Sequence, residues 1–316
     1  MRIEQAVAVA AQAVARISAE VERVVIGQRS AIELSLAAML TGGHVLLEAL
    51  PGTGKTTLAK ALATVVGGTT QRLQCTPDLL PGDVTGVGVF NPATLQFEFR
   101  PGPVFANILH ADEINRATPK AQSALLEAMA ENQVTIDAVS HQLPTPFLVI
   151  ATQNPIEMAG TYELPEAQLD RFSVRVRMGY PDHNAALRVL STHRSAPPQL
   201  QQVISLDDIT RIGRLCENIW IDDQVAAYIV AIVEQTRSHP DIVIGASPRA
   251  TIALARIAAA LAMCATRAYV SIDDVKRAAA PVLAHRLVLQ TKAERQGSTA
   301  ELVIEEILQR LSVPPR

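Results

Sequence analysis

The amino-acid sequence predicts an α/β fold, a parallel sheet between helices with inserted hairpins, followed by an all-helical domain. Between about residues 42 and 180, short apolar runs alternate with helical stretches, which is typical of a parallel sheet with crossover helices. Beyond Pro181 the strand pattern stops, and the remaining segments carry helix-start signals. The predicted strands cover residues 44–48, 71–75, 107–111, 147–152 and 173–178.

The composition excludes several classes of protein. The 316 residues include 28 Lys and Arg against 31 Asp and Glu, a net charge of -3, so no global positive field attracts nucleic acid or an anionic membrane. Cys75, Cys216 and Cys264 show no zinc-site or disulfide spacing, which favours a reducing compartment and predicts a cytoplasmic protein. The most apolar stretch, 250–265, contains Arg256 and falls short of the roughly 20 residues that cross a bilayer, so no membrane insertion is expected.

Two helices and two insertions are predicted within the α/β part. Residues 55–65 and 119–132 carry Ala, Leu, Glu and Met with helical periodicity, after the first and third strands. Residues 76–104 are irregular apart from a β-like segment at 95–99, and a hairpin-like segment follows at 133–142. Packing an α/β core does not require such long excursions, which are usually functional.

The helical domain is predicted from N-cap patterns, in which a hydroxyl precedes the first turn and a carboxylate follows three residues later. The pattern occurs at Ser205 with Asp208, Ser271 with Asp274 and Ser298 with Glu301. A linker is predicted at residues 195–199, which include a Pro-Pro pair. We therefore assign residues 1–190 to the α/β domain and residues 191–316 to the helical domain.

A phosphate-binding loop is predicted after the first strand, where a Gly-rich turn is followed by Lys and Thr at the start of a helix. Glycines let backbone amides point at an anion, and the helix N-terminus adds its positive end. Lys55 can reach the β- and γ-phosphates, and the Thr56 hydroxyl can bind Mg²⁺. A turn with a solvated lysine is the alternative. The predicted ATP-binding residues of the loop are Pro51, Gly52, Thr53, Gly54, Lys55, Thr56 and Thr57.

One position departs from the strict loop pattern, which has glycine six residues before the lysine. This chain has Ala49 there. A methyl group costs little at this position if φ is negative, but it strains the loop if φ is positive. We expect reduced tolerance rather than lost binding of ATP.

Two adjacent carboxylates, Asp112 and Glu113, follow the third predicted strand. Neighbouring side chains of a strand point in different directions, so the two acids are expected to have different tasks. Asp112 would hold Mg²⁺ through its water shell, and Glu113 would orient and deprotonate the attacking water. A strand that simply enters a polar turn is the alternative. His110, in the same apolar run, is predicted to be a hydrogen-bonded core histidine rather than a metal ligand.

Five ordered motifs resemble the MoxR family of AAA+ ATPases. They are Leu50-Pro-Gly-Thr-Gly-Lys-Thr56, Asp112-Glu-Ile-Asn-Arg-Ala117, Ala151-Thr-Gln-Asn-Pro155, Leu164-Pro-Glu-Ala-Gln-Leu-Asp-Arg-Phe172 and Gly245-Ala-Ser-Pro-Arg-Ala250. The resemblance implies an AAA+ ATP-binding core followed by a helical lid. It also implies a homo-oligomeric ring, usually of six subunits, that remodels protein clients together with von Willebrand factor A domain proteins.

The resemblance implies roles for three residues outside the loop. Asn154 corresponds to a sensor of the γ-phosphate or attacking water, Arg171 to an arginine finger in the neighbouring subunit's site, and Arg249 to a second sensor in the lid. Independently, Ser247 and Pro248 have the pattern of an N-cap and a first helical residue, which places Arg249 in a first helical turn. The alternatives are an Asn-Pro turn and two ion-paired arginines.

The resemblance further implies that residues 25–28, with Ile26 and Gly27, pack on the adenine base, although a turn entering the next helix is the alternative. ATP would then be held by three bodies: the core through Lys55, the lid through Arg249 and a neighbour through Arg171. Loss of the γ-phosphate would loosen the contacts among them.

A Mg·ATP-hydrolysing motor acting on a protein client is the leading functional hypothesis. A motor that tracks nucleic acid is disfavoured, because residues 133–149 contain no Lys or Arg, residues 86–106 contain only Arg100, and backbone tracking needs basic loops. A nucleotide-gated scaffold without hydrolysis, which Ala49 leaves open, and a metal-chelatase motor subunit are further alternatives.

The first predicted insertion carries four apolar side chains that are candidates for client contact. They are Phe90, Leu95, Phe97 and Phe99. The alternative is that they cover the core beneath the insertion.

Overall fold

The structure is a computed structural model that describes residues 3–50, 52–154, 162, 164–193 and 198–313. Within these residues the strands are β1 (Val45–Ala49), β2 (Thr70–Gln74), β3 (Gly86–Asn91), β4 (Gln96–Pro101), β5 (Ile108–Asp112), β6 (Gln133–Ile136), β7 (Val139–Gln142), β8 (Leu148–Gln153), β9 (Val174–Met178), β10 (Ile242–Ile244) and β11 (Val288–Leu289). The helices are α1 (Ile3–Glu22), α2 (Arg29–Leu40), α3 (Lys55–Val66), α4 (Pro81–Thr85), α5 (Pro119–Glu131), α6 (Glu166–Leu169), α7 (His183–His193), α8 (Leu206–Cys216), α9 (Asp223–Ser238), α10 (Pro248–Cys264), α11 (Ile272–Leu283), α12 (Thr291–Arg295) and α13 (Ala300–Arg310).

A parallel sheet with the strand order β2-β5-β8-β1-β9 forms the centre of the α/β domain. The central strands β5 and β8 are almost fully buried, as expected for parallel strands with both faces covered. All five predicted strands are confirmed to within one residue at each end. The predicted helices are confirmed as α3 and α5, and Thr118 caps α5 by accepting from the amide of Ala121.

Both insertions contain antiparallel hairpins, formed by β3 with β4 and by β6 with β7. The first insertion is more regular than predicted, because it also contains helix α4 and its second strand continues to Pro101. The ring of Phe99 stacks on His141 of β7 with centroids 4.0 Å apart, and it also contacts Phe105. The two hairpins therefore pack on each other.

The second part of the chain is helical, but not entirely. Ser205, Ser271 and Ser247 cap helices α8, α11 and α10 as predicted. The third predicted cap is wrong by one residue, because the hydroxyl of Thr299, not Ser298, accepts from the α13 amide of Leu302. The prediction of no strands beyond Pro181 is also wrong, since β10 and β11 pair there. Strands of three and two residues are too short for an alternating pattern.

A continuous apolar core joins the helical domain to one face of the sheet. It includes Ile32 of α2, Leu58 of α3, Ile150 of β8 and Ile257 of α10. At the surface, Arg175 of β9 donates to Glu48 at 3.0 Å and to Glu301 of α13 at 2.7 Å. The helical domain is thus held against its own α/β domain. In the part of the chain that the structure describes, no helix has the length and apolarity needed to cross a membrane.

Candidate functional site

The phosphate loop has the backbone geometry of an anion cradle. Gly52 and Gly54 have φ of 79° and 93°, and a Cβ built on either would meet no atom within 4 Å. Gly54 is the N-cap residue of α3, so the first helical amides face the open side of the loop. The Lys55 ammonium lies against the loop, donating to the carbonyl of Ala49 at 3.5 Å. The residues present therefore fit a bound phosphate chain.

The backbone at position 49 accepts alanine in place of the glycine of the strict loop pattern. Ala49 is the last residue of β1, where it is buried, pairs with Met178 and does not have a positive φ. A methyl group is therefore accommodated without strain. Thr53 is buried and its hydroxyl donates to the Leu50 carbonyl at 2.8 Å, which closes the turn. Thr56 and Thr57 lie in the first turn of α3, and Pro51 lies outside the described residues.

Asp112 ends strand β5 beside the loop. Arg72 of β2 donates to its Oδ2 at 2.7 Å, and the Thr152 hydroxyl of β8 donates to its Oδ1 at 2.8 Å. Burial acts to raise the pKa of Asp112, but these hydrogen bonds and the nearby Lys55 hold it below the ordinary value. An ionised carboxylate and the Thr56 hydroxyl in the first turn of α3 are the hard oxygen donors that Mg²⁺ prefers when phosphates and waters complete its shell.

Glu113 has an unusual backbone conformation, with φ 56° and ψ 53°. This left-handed conformation is uncommon for a residue other than glycine, and such outliers are concentrated at functional sites. The Glu113 Oε2 accepts from Arg116 at 3.0 Å and from Gln74 of β2 at 3.4 Å. Arg116 thus forms an ion pair with the acidic residue three positions earlier.

Asn154 and the predicted adenine segment lie at the same edge of the sheet as the loop. Asn154 is buried immediately after β8, between the carboxyl ends of β5 and β1. Gly27 has φ 77°, and a Cβ there would lie 2.7 Å from the Cβ of Ala185 in α7. The side-chain amide of Gln28 donates to the backbone carbonyl of Gly179 at 2.9 Å. Gly179 follows Met178, the β9 residue that pairs with Ala49 at the end of β1. Ile26 and Gly27 are therefore positioned beside the loop.

His110 does not have the hydrogen bonds predicted for it. It is buried on β5, yet neither ring nitrogen has a hydrogen-bond partner in the described structure. Burial lowers its pKa to about 4, so the ring is neutral at physiological pH. Its Nε2 lies 3.8 Å from Asp112 Oδ1. Among the described residues, no cluster of three or more His, Cys, Asp or Glu side chains could hold a metal ion by itself.

Arg171 and Arg249 lie together at the opposite edge of the sheet. Both line a cavity of about 250 Å³, whose other walls include residues 41–44, which precede β1, and Ser173, which precedes β9. Since these strands are parallel, their amino ends are separated from the phosphate loop by the five residues of β1, about 16 Å at roughly 3.3 Å per residue. Arg171 of the α/β domain and Arg249 of the helical domain therefore lie in one cavity, away from the phosphate loop of their own chain.

The cavity contains two further arginines that sequence reasoning did not assign. Arg256 lies two helical turns beyond Arg249 on α10, on the same helix face. Among the described residues, Arg249 and Arg256 have no carboxylate or hydrogen-bond partner, and Arg171 donates only to the carbonyl of Leu126. Arg286 is the fourth arginine and is neutralised by an aspartate. The cavity thus concentrates positive charge.

Asp170 connects the Arg171 segment to the helical domain. Its Oδ1 accepts from the Arg286 Nε at 2.7 Å, and its Oδ2 accepts from the hydroxyl of Ser247, the N-cap of α10, at 3.0 Å. Arg286 also donates to the carbonyls of Phe172 and Val282. The Arg171 and Arg249 backbones are therefore held in a fixed relation by one carboxylate.

Removing the Arg286 guanidinium is expected to destabilise the fold. The Arg286 side chain is 3% exposed and its loss leaves Asp170 without a buried partner, so Arg286→Met should cost about 3–5 kcal/mol of unfolding free energy. Arg277→Met is the matched control, because Arg277 also joins the helical domain to the core, through Glu33, but is 57% exposed. It should cost about 1 kcal/mol or less. Denaturant unfolding followed by circular dichroism measures both, and equal losses would contradict the prediction.

These features define an AAA+ ATPase: a phosphate loop, an acidic pair and an asparagine on adjacent strands, and a helical lid packed on the core. The family model for the ATPase family associated with various cellular activities (AAA) matches residues 44–174, and the model for the AAA lid domain matches residues 234–307. With relatives of that name similar over nearly its whole length, the chain belongs to the MoxR family of AAA+ ATPases.

The relatives support this assignment individually. The chain is 50% identical over 296 residues to the uncharacterized protein YeaC of Bacillus subtilis, covering 93% of this chain and 92% of that protein. It is 41% identical over 304 residues to the chaperone MoxR1 of Mycobacterium tuberculosis, covering 93% and 81%. A crystal structure from Cytophaga hutchinsonii, of a protein described as a candidate ATPase, superposes with a TM-score of 0.92 at 38% identity, covering 99% and 98% of the two chains.

Proposed function

We propose that the protein is a Mg²⁺-dependent ATPase that works as a homo-oligomeric ring and remodels protein complexes. The observation that carries the proposal is that the anion cradle, Lys55, the acidic pair and Asn154 gather at the carboxyl edge of one parallel sheet. Ligands of open α/β folds bind at this edge. Family membership independently implies nucleotide binding.

Each group at this edge has a chemical task in the proposed reaction. The loop amides and Lys55 bind the phosphates, and Thr56 with Asp112 would hold Mg²⁺, which neutralises charge on the β- and γ-phosphates. Glu113 orients the attacking water and accepts its proton, and Asn154 positions the γ-phosphate or that water. Ile26 and Gly27 pack on the base.

In the proposed ring, a neighbouring subunit supplies the arginine finger and the second sensor to this edge. Arg171, Arg249 and Arg256 lie too far from their own loop to reach its phosphates, and they have no carboxylate partner in the described structure. Guanidinium groups gathered in one cavity repel each other unless an anion lies between them. We propose that this anion is the γ-phosphate held by a neighbouring subunit, which makes the active site an interface. The family resemblance suggests six subunits.

A protein client fits the exposed insertion better than nucleic acid does. Phe90, Leu95 and Phe97 are 48%, 76% and 73% exposed, whereas Phe99 packs against Phe105 and His141. Three of the four candidate residues are thus available to an apolar partner, and the scarcity of basic residues in both hairpins disfavours a phosphate backbone. We propose a cytoplasmic client, such as a von Willebrand factor A domain protein, in keeping with the relative named as a chaperone.

The test is ATP turnover as a function of protein concentration, with light scattering after size exclusion in the presence and absence of Mg·ATP. Turnover per subunit should rise steeply over the concentrations at which the ring assembles, because isolated subunits lack the neighbour's arginines. Turnover that is independent of assembly would contradict a shared site. Tight ATP binding without turnover in every assembled state would favour the nucleotide-gated scaffold.

A further inference from the structure

The Thr152 hydroxyl connects the two members of the acidic pair. Thr152 lies on β8, between β5 and β1, and is fully buried. Its Oγ1 donates to Asp112 Oδ1 at 2.8 Å and accepts from the backbone amide of Glu113 at 2.9 Å. A hydroxyl has one proton to donate and two lone pairs, so it makes both bonds at once.

The bond to the Glu113 amide supports a backbone conformation that is intrinsically unfavourable. A left-handed conformation is unfavourable for a residue other than glycine, because its Cβ comes too close to the following carbonyl oxygen. Strand β5 ends at Asp112, so the Glu113 amide lies just beyond the last residue of the ladder. Thr152 supplies its acceptor, and the side chain of Glu113 leaves the strand in the direction set by this turn.

The bond to Asp112 fixes one carboxylate oxygen, whereas the other oxygen has a partner that can be exchanged. Oδ1 is held by a buried neutral group, whereas Oδ2 is held by Arg72, which is 52% exposed on the edge strand β2. An exposed guanidinium can leave at little cost when another cation approaches. Thr152 therefore keeps the carboxylate plane fixed while the Oδ2 partner changes.

We propose that Thr152 is a positioning residue that sets the geometry of both acids through one hydroxyl. This rests on the proposed function, in which Asp112 helps to hold Mg²⁺ and Glu113 orients and deprotonates the attacking water. In the part of the chain that the structure describes, the side chain of Gln153, its neighbour on β8, makes no hydrogen bond to either acid, and Ala151 has no polar side-chain group. Removing a group that orients a metal ligand through a hydrogen bond typically lowers metal affinity or activity by about 10–100-fold.

The test compares Thr152→Val with Thr152→Ser. Valine keeps the branched shape and loses both hydrogen bonds, whereas serine loses a methyl group and keeps them. We expect Thr152→Val to lower kcat by about 10–100-fold and to raise the Mg²⁺ concentration for half-maximal turnover. Thr152→Ser should recover most of both. Nucleotide binding by titration calorimetry with a slowly hydrolysed ATP analogue, with Mg²⁺ and with EDTA, gives a second readout that does not need turnover.

The readouts separate this proposal from the proposed function. In Thr152→Val the affinity gained by adding Mg²⁺ should shrink, while affinity in EDTA stays near that of the original chain. An unchanged gain and an unchanged kcat would overturn the positioning role. Equal impairment of both variants, with matching losses of thermal stability, would assign Thr152 to packing alone and overturn it too. If the original chain binds Mg·ATP without turnover, the proposed hydrolysis fails, but the calorimetric comparison still decides on Thr152.

Discussion

Glu113→Gln should bind ATP with close to the original affinity and lose about 10²–10⁴-fold in turnover. The amide is isosteric with the carboxylate and can still accept from Arg116, so the local geometry is retained. It cannot take a proton from water, so the step assigned to Glu113 is lost while phosphate binding at the loop is untouched. Single-turnover hydrolysis and equilibrium nucleotide binding measure the two effects separately.

Glu127→Gln provides the matched control. Glu127 is exposed on α5 and its substitution makes the same change of charge without touching the acidic pair. It should leave turnover within a factor of about two, as expected for a surface change away from the site. If Glu113→Gln hydrolysed ATP at the rate of this control, another group would have to act as the base. Loss of nucleotide binding in Glu113→Gln would instead assign the residue to the architecture of the site.

The parallel sheet was predictable because its strands are buried on both faces. Such strands appear in the sequence as apolar runs, as in β8, which begins Leu-Val-Ile-Ala, and their limits are set by turns and caps that are local. The antiparallel pair of β10 and β11 was not predictable. Its strands are only three and two residues long, and the paired residues lie more than forty positions apart in the sequence. The Thr299 cap was missed because the neighbouring Ser298 has Glu301 three residues later, whereas the residue three after Thr299 is Leu302.

The carboxyl edge of the site was predictable where its chemistry is local. The glycine pattern before Lys55 and the adjacent pair Asp112 and Glu113 can each be recognised from a few consecutive residues. The groups that hold those acids do not, because Arg72 and Thr152 meet Asp112 only through the strand order β2-β5-β8. The sequence likewise predicted that Arg249 begins a helix, but not that the helix begins at the amino edge of the sheet.

The four-arginine cavity changes how the arginines of the site must work. The resemblance implied a finger in a neighbour's site for Arg171 and a second sensor in the lid for Arg249. The structure places both side chains in one cavity, and Asp170 joins the two segments that carry them through Ser247 and Arg286. Two side chains that line the same cavity and whose backbones are held in a fixed relation would approach the same phosphate. We therefore expect the substitutions Arg171→Ala and Arg249→Ala to have the same phenotype, with nucleotide bound and turnover lost.

Mixed rings should reveal on which side of the interface each arginine acts. Alone, Arg171→Ala should lose about 10³-fold or more in turnover if Arg171 acts as the proposed arginine finger. Lys55→Ala removes the loop lysine but leaves the cavity intact, so it can serve an Arg171→Ala neighbour. Random mixing in equal amounts should restore about a quarter of the interfaces, each needing one intact loop and one intact cavity in a head-to-tail ring. No recovery at any ratio would contradict a shared site.

The decisive mixture combines Arg171→Ala with Arg249→Ala. If both arginines serve the neighbour, no interface in this mixture has an intact cavity, and turnover should stay at the level of the single variants. If Arg249 instead served its own loop, an Arg171→Ala loop facing an Arg249→Ala cavity would have every group it needs, and turnover would recover. Lys55→Ala mixed with Arg249→Ala is the positive control, because it should recover only when Arg249 acts across the interface. The two mixtures therefore give opposite results for the two arrangements, and together they test whether the cavity lined by Arg171 and Arg249 is half of an active site.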